Sequence, residues 1–249
     1  MLTVSLFVVA ALLPALILMR YIYYKDSIES EPKDLLLKLA IAGGFSILPA
    51  ILLESLGEYA LGYFLPSSSI IYSLLLMFFI VAPAEEGCKY YFLNKRTWNH
   101  RAFNYQFDGV VYAVFVSLGF AALENIDYVL QFGFSVALTR ALVSVPAHMC
   151  FAVFMGSFYG RAKVCSVHQD QRGAKRNKRI GLLVAIILHG FYNSCLLISS
   201  TSSLLAFSAF VVLMYIIVIR KIKMDAKSDI AINSISDFPN NYGINNLEE

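Results

Sequence analysis

The sequence predicts an all-α polytopic membrane protein: a helix bundle of about seven transmembrane helices, N-terminus outside and C-terminus cytoplasmic. Three observations carry that prediction. Hydrophobic residues make up 58% and charged residues 15% of the 249-residue chain, whereas a soluble domain carries about 45–50% and about 25%. Apolar runs near the roughly 20 residues needed to cross a bilayer recur seven times. Lysine and arginine crowd alternate connections between these runs, the asymmetry that sets orientation in a membrane.

Taken in order, the predicted spans are residues 2–24, 35–56, 69–93, 108–131, 136–160, 180–199 and 204–219. The first has no basic residue before it and is followed by Arg20, Lys25, Lys33 and Lys38, so it reads as an uncleaved anchor. Gly43, Gly44 and Pro49 interrupt the second, Glu54 and Glu58 lie at its end, and an extra re-entrant piece is compatible with residues 57–65. Lys95, Arg96 and Arg101 follow the third span. Seven basic residues, from Arg161 to Arg179, lie between the fifth and sixth, and Arg220, Lys221, Lys223 and Lys227 follow the seventh. The alternate connections, near 57–68, 132–135 and 200–203, carry none, and only Arg140 breaks the pattern.

The membrane domain is expected to occupy residues 1–224. Residues 225–249, rich in Asn, Ser, Asp and Glu, are expected to form a mobile cytoplasmic tail. The basic stretch 172–179 abuts a span and reads as a topology determinant touching lipid headgroups rather than nucleic acid. Cys88, Cys150, Cys165 and Cys195 have no paired spacing and read as small hydrophobes.

The informative residues are polar ones in apolar helices. Glu85 and Glu86 are adjacent in the run I-V-A-P-A-E-E-G-C-K-Y-Y. A carboxylate at bilayer depth costs roughly 2.5–3.5 kcal/mol, so a partner is expected. Lys89, four residues after Glu85, shares its helical face. The fourth span holds Glu124 and Asn125, with Phe120 one turn before them and small residues Gly109, Ala113, Ser117 and Ala121 four apart. The fifth holds His148 above Ala152, Gly156 and Gly160, and the sixth holds His189 and Asn193 on one face.

Each of these residues alone has a packing explanation. All facing one interior, Glu85, Glu86, Lys89, Glu124, Asn125, His148, His189 and Asn193 make a hydrated pocket suited to activating water. Glu85 or Glu86 would take the proton, with His148, His189 and Asn193 stabilising the oxyanion. Counted at about 1.5 Å per residue from the helix ends, Glu85 falls nearer the cytoplasm than Glu124, so the pocket requires tilted helices or an indented cavity.

The motifs E-E-G-C-K at 85–89, F-A-A-L-E-N at 120–125, H-M-C-F-A-V-F-M-G at 148–156 and H-G-F-Y-N at 189–193 occur in series. The chain thereby resembles the PrsW family of glutamic-type intramembrane proteases, relatives of the CAAX-prenyl proteases and bacteriocin-immunity membrane proteins. The resemblance implies a peptidase of the bacterial cytoplasmic membrane that cleaves a membrane-anchored protein, such as an anti-sigma factor. Its implied catalytic residues are Glu85, Glu86, Glu124, His148, His189 and Asn193, supported by Lys89 and Asn125.

No cofactor is expected, although Glu85, His148 and His189 could hold a divalent metal such as zinc, which accepts His and carboxylate ligands. H-E-x-x-H and a nucleophile elbow are both missing. Two other functions use the same residues: a proton- or ion-coupled carrier, disfavoured because no inverted repeat is visible, and a non-catalytic immunity or scaffold protein.

Overall fold

The computed structural model describes residues 2–197 and 201–233, with side chains from residue 7 onward. The described residues form ten α-helices and no strand: α1 (Leu2–Lys25), α2 (Lys33–Phe45), α3 (Ile47–Phe64), α4 (Ile70–Leu75), α5 (Ala82–Thr97), α6 (Asp108–Phe132), α7 (Phe134–Leu142), α8 (Ser144–Val167), α9 (Gln171–Cys195) and α10 (Thr201–Lys227). A π-helical turn, Leu76–Val81, joins α4 to α5. Six helical stretches are long and apolar enough to cross a membrane: Phe7–Lys25, Lys33–Phe64, Ile70–Thr97, Asp108–Phe132, Phe134–Val167 and Thr201–Lys227. The predicted sixth span is the apolar second half of α9, whose first half carries Arg172, Lys175, Arg176, Lys178 and Arg179. Its last predicted residues, 198–199, lie outside the described residues.

Three prolines account for the irregularities. A proline gives no N–H to the carbonyl four residues back and crowds it. Pro49 follows the break at Ser46, whose hydroxyl donates instead to the Gly43 carbonyl at 2.6 Å. Pro83 follows the π-helical turn just before the Glu85–Glu86 pair. Pro146 follows the break at Val143, where the Tyr215 hydroxyl of α10 donates to the carbonyls of Leu142 (3.0 Å) and Val143 (2.9 Å). The segment anticipated as re-entrant near 57–65 is instead the continuous end of α3. With Pro49 in its first turn and no internal breaker, that stretch has no reason to leave the helix.

Helix α6 is the axis. Of its apolar window 83% is buried, against 22% for α1 and α10, which turn Leu13, Ile17, Leu205 and Leu213 outward. Its neighbours approach closely because side chains are missing where they cross. A Cβ on Gly43 of α2 would land on the Val116 carbonyl, and one on Gly119 would land on the Ala40 carbonyl. On the other side, Gly109 meets Gly156 and Gly160 of α8, so the small-residue stripes expected on both helices do face each other.

The connections rich in basic residues gather at one end of the bundle. Lys163 donates to the Trp98 carbonyl at 2.6 Å, Lys178 to Asn94 at 2.8 Å, and Asn104 to Glu29 at 2.9 Å. Part of the expected tail is ordered there too. Helix α10 continues to Lys227, and residues 229–232 lie along the 104–107 loop, with Phe107 N donating to Asp229 (2.8 Å) and Ile232 N to the Asn104 carbonyl (2.8 Å). The sequence shows no helical period there because main-chain hydrogen bonds and the single buried side chain of Ile232, with Ile230 beside it, hold the segment. Residues 234–249 lie outside the described residues.

Candidate active site

The site is assembled from α5, α6, α7, α8 and α9. On α5 the paired carboxylates fold back onto Lys89, whose Nζ lies 3.0 Å from Glu85 Oε2 and 2.8 Å from Glu86 Oε1. The ammonium also sits 4.1 Å from the centre of the Phe120 ring, which gives the aromatic residue one turn before Glu124 a role in holding the cation. Lys89 is buried, as is Glu86, while Glu85 retains a sliver of exposure.

His148 joins α5 to α6. Its Nδ1 lies 3.1 Å from Lys89 Nζ and its Nε2 lies 3.0 Å from Glu124 Oε2. An ammonium only donates, so Nδ1 accepts and the ring proton resides on Nε2, directed at Glu124. The anticipated mismatch in depth between Glu85 and Glu124 is bridged in this way, by the length of the Lys89 side chain and the width of one imidazole. The His148 carbonyl is tied by Ser117 Oγ at 3.0 Å.

His189 is fixed on the other side. Its Nδ1 lies 2.9 Å from Glu86 Oε1, its ring stacks on Phe151 with centroids 5.0 Å apart, and its Nε2 lies 3.9 Å from Glu85 Oε1. With Nδ1 donating to Glu86, Nε2 faces Glu85. His148 Nε2–H and His189 Nδ1–H are thus both directed at carboxylates.

A cavity of about 490 Å³ opens onto this cluster, lined by Glu54, Glu85, Glu124, His148, His189 and Asn193 among others. Seven of the eight expected residues meet in one place. The eighth, Asn125, faces away from the cavity and ties helices together: its Nδ2 donates to the Ala11 carbonyl of α1 at 2.8 Å, and its Oδ1 accepts from Arg140 Nε at 2.9 Å.

Arg140 is the residue that site reasoning missed. It is buried, its Nη2 lies 2.9 Å from Glu124 Oε2 in an ion pair, and its guanidinium sits 3.9 Å from the Tyr128 ring centre. The signal was its being the one basic residue on the uncharged side. A cation that defies the positive-inside pattern is best explained by a buried anion. Glu54 was visible only as a charge ending a span; its place on the cavity wall follows from the break at Ser46.

Donor chemistry bears on a metal. One donor atom each from Glu85, Glu86, His148 and His189 lies within 4.8 Å of the others, and Glu86 Oε2 is buried without a partner. The carboxylate behind His189 is what a metal-bound histidine requires. These residues fit a divalent metal in kind and spacing, although Lys89 already supplies a positive charge within 3.1 Å of three of them.

A charged, histidine-bearing cavity enclosed by lipid-facing helices defines a multi-span membrane protein with the groups for hydrolysis. Residues 31–220 match the family described as PrsW family intramembrane metalloprotease. The chain is 35% identical over 216 residues to "Protease PrsW" of Oceanobacillus iheyensis, covering 86% of this chain and 93% of that protein. It is 29% identical to the protein of that name from Halalkalibacterium halodurans (88% and 97% covered) and 33% identical to that from Geobacillus kaustophilus (76% and 78%). No solved structure matches. The chain belongs to the PrsW family of intramembrane proteases and is a multi-pass bacterial membrane protein.

Proposed function

We propose that this protein hydrolyses a peptide bond in a membrane-anchored protein with a water activated by Glu85. The observation that carries the reading is the asymmetry of the paired carboxylates. Glu85 borders the cavity with Oε1 3.9 Å from His189 Nε2, while Glu86 is sealed behind it, holding Lys89 and His189. A water between Glu85 and His189 would give one proton to Glu85 as its oxygen attacks the carbonyl carbon. Glu85 would then return that proton to the leaving amide nitrogen.

Asn193 donates its amide to the oxyanion, and the nearby charges of Lys89 and Arg140 favour the negative intermediate. Glu124 and His148 act as a strut that keeps Lys89 in place. Glu85, Glu86, His148 and His189 would hold a divalent metal, which when bound polarises the carbonyl and acidifies water.

The crowding of basic residues at one end of the bundle supports a cytoplasmic location for that end, with the N-terminus outside. The family likeness supports a single-span regulator, such as an anti-sigma factor, as substrate.

The test incubates purified protein in detergent with a tagged single-span protein. Cleavage is expected to fall by about 10²–10⁴-fold in Glu85→Gln while the protein still folds, and to persist in a strong chelator if Lys89 is the working cation. Unchanged cleavage in Glu85→Gln overturns the assignment.

A further inference from the structure

A second cluster of acids lies at the other end of α6, about 24 Å along the helix from Glu124. Asp26 comes from the α1–α2 connection, Glu31 from just before α2, and Asp108 is the first residue of α6. One oxygen from each lies within 4.8 Å of the others, and all three residues are at most 5% exposed.

Part of each carboxylate is accounted for. Glu31 Oε2 accepts from the Tyr112 hydroxyl at 2.6 Å, and Asp108 Oδ2 accepts from the main-chain N–H groups of Asn104 (3.0 Å) and Tyr105 (2.7 Å). Asp26 Oδ2 and Asp108 Oδ1 remain buried with no hydrogen-bond partner. The lysines and arginines that form ion pairs among the described residues do so elsewhere, Lys38 with Asp34, Lys89 with Glu85 and Glu86, Arg140 with Glu124, and Lys221 with Asp225. Converging buried carboxylates with orphaned oxygens favour a bound cation or a shared proton such as one between Glu31 and Asp108, since an unpaired buried charge costs several kcal/mol.

We propose that Asp26, Glu31 and Asp108 form a binding site for a hard divalent cation, Mg²⁺ or Ca²⁺, separate from the active site. The donors are all oxygen, without the imidazole or thiolate that would favour zinc. The cation joins the α1–α2 connection to the start of the axial helix. Its role is to brace the loop end of α6 against α1 and α2, so that the helix carrying Glu124 keeps its register. Mg²⁺ demands near-octahedral geometry and retains waters, whereas Ca²⁺ takes six to eight oxygens in a looser shell, so the two ions separate by affinity.

The experiment titrates chelator-treated, full-length protein in detergent with MgCl₂ or CaCl₂ alone, reading calorimetric heat and thermal midpoint. A saturable rise in midpoint, reversed by chelator, is expected for one ion or both. Asp26→Asn and Glu31→Gln are expected to weaken affinity at least tenfold, while Glu85→Gln keeps the wild-type response. Asp26 lies outside the helices, so its variant remains informative if Asp108→Asn fails to fold. The proposal is overturned by a wild-type protein indifferent to both ions, which would leave the carboxyls sharing protons. A response unchanged in Asp26→Asn and Glu31→Gln, or lost in Glu85→Gln, also overturns it, the last by assigning the ion to the active site.

Discussion

Lys89 Nζ lies 3.1 Å from His148 Nδ1, so a buried ammonium donates to an imidazole that in turn donates to Glu124. This contact joins the two carboxylate groups of the site, which stand on different helices, and places a fixed positive charge amid Glu85, Glu86 and His148. Replacing Lys89 with Met is expected to leave two buried carboxylates uncompensated and cost about 3–5 kcal/mol. A divalent metal can take the vacated charge, so added Zn²⁺ should raise the thermal midpoint of Lys89→Met more than that of wild type. Equal responses in a thermal-shift titration would show that lysine and metal do not compete for one position.

The two adjacent glutamates are expected to fail differently. Glu85→Gln removes the carboxylate that borders the cavity but leaves Lys89 its contact with Glu86, so it should cut turnover about 10²–10⁴-fold with a smaller loss of stability than Glu86→Gln. Glu86→Gln removes the acceptor shared by Lys89 and His189, so it should lower the thermal midpoint as well as activity. Paired measurements of cleavage and melting distinguish the two. If Glu86→Gln alone stops cleavage while folding is unchanged, the base is His189 held by Glu86, and Glu85 is secondary.

Much of this arrangement was legible in the sequence because a bilayer makes polar residues conspicuous. Glu85, Glu86, Lys89, Glu124, His148 and His189 stood out as groups that lipid would not tolerate unpaired, and helical spacing correctly placed Lys89 on the Glu85 face. The glycine stripes forecast the close approach of α6 to α8. The direction of each imidazole proton was not legible, since it depends on which neighbours arrive from other helices. In the sequence Arg140 reads as a topological exception and Asn125 as a supporting residue that faces the pocket, because spacing along α6 cannot say which side of that helix faces α1. The acidic cluster escaped notice because its members are far apart in sequence and each sits in or beside a connection where charge is ordinary.

Arg140→Met tests whether the exception is structural or chemical. The substitution removes the ion pair to Glu124 and the hydrogen bond to Asn125 together. Breaking a fully buried pair costs about 3–5 kcal/mol, and the partial exposure of Glu124 brings this pair below that range. Glu124 then keeps only His148, so cleavage should fall with the loss of stability, and Arg140→Lys should restore part of the stability while leaving the bond to Asn125 incomplete. Full stability in Arg140→Met, measured by thermal unfolding in detergent, would contradict a partly buried Glu124 carboxylate that depends on it.

The 229–232 segment supplies a prediction in pH. Burial raises the Asp229 carboxyl to about 6 despite the N–H groups of Phe107, Ile230 and Gln106, and the Asp225 carboxylate adds to the rise. Asp26 is the other charge felt across the contact, and Lys221 is held by Asp225. A carboxyl of about 3.9 in the free chain and about 6 when docked favours the docked segment fully below the lower value. That contribution is lost as pH rises through the higher one. The hydrogen bonds from Gln106 N to the Ile230 carbonyl (3.0 Å) and from Ile232 N to the Asn104 carbonyl (2.8 Å) should therefore open more often at pH 7.5 than at pH 5. Hydrogen exchange in chelator-treated buffer, corrected for the intrinsic pH dependence, is expected to show several-fold weaker protection of these two amides at the higher pH. Asp229→Asn should flatten that dependence, and a dependence of equal size in the variant would assign it to another group.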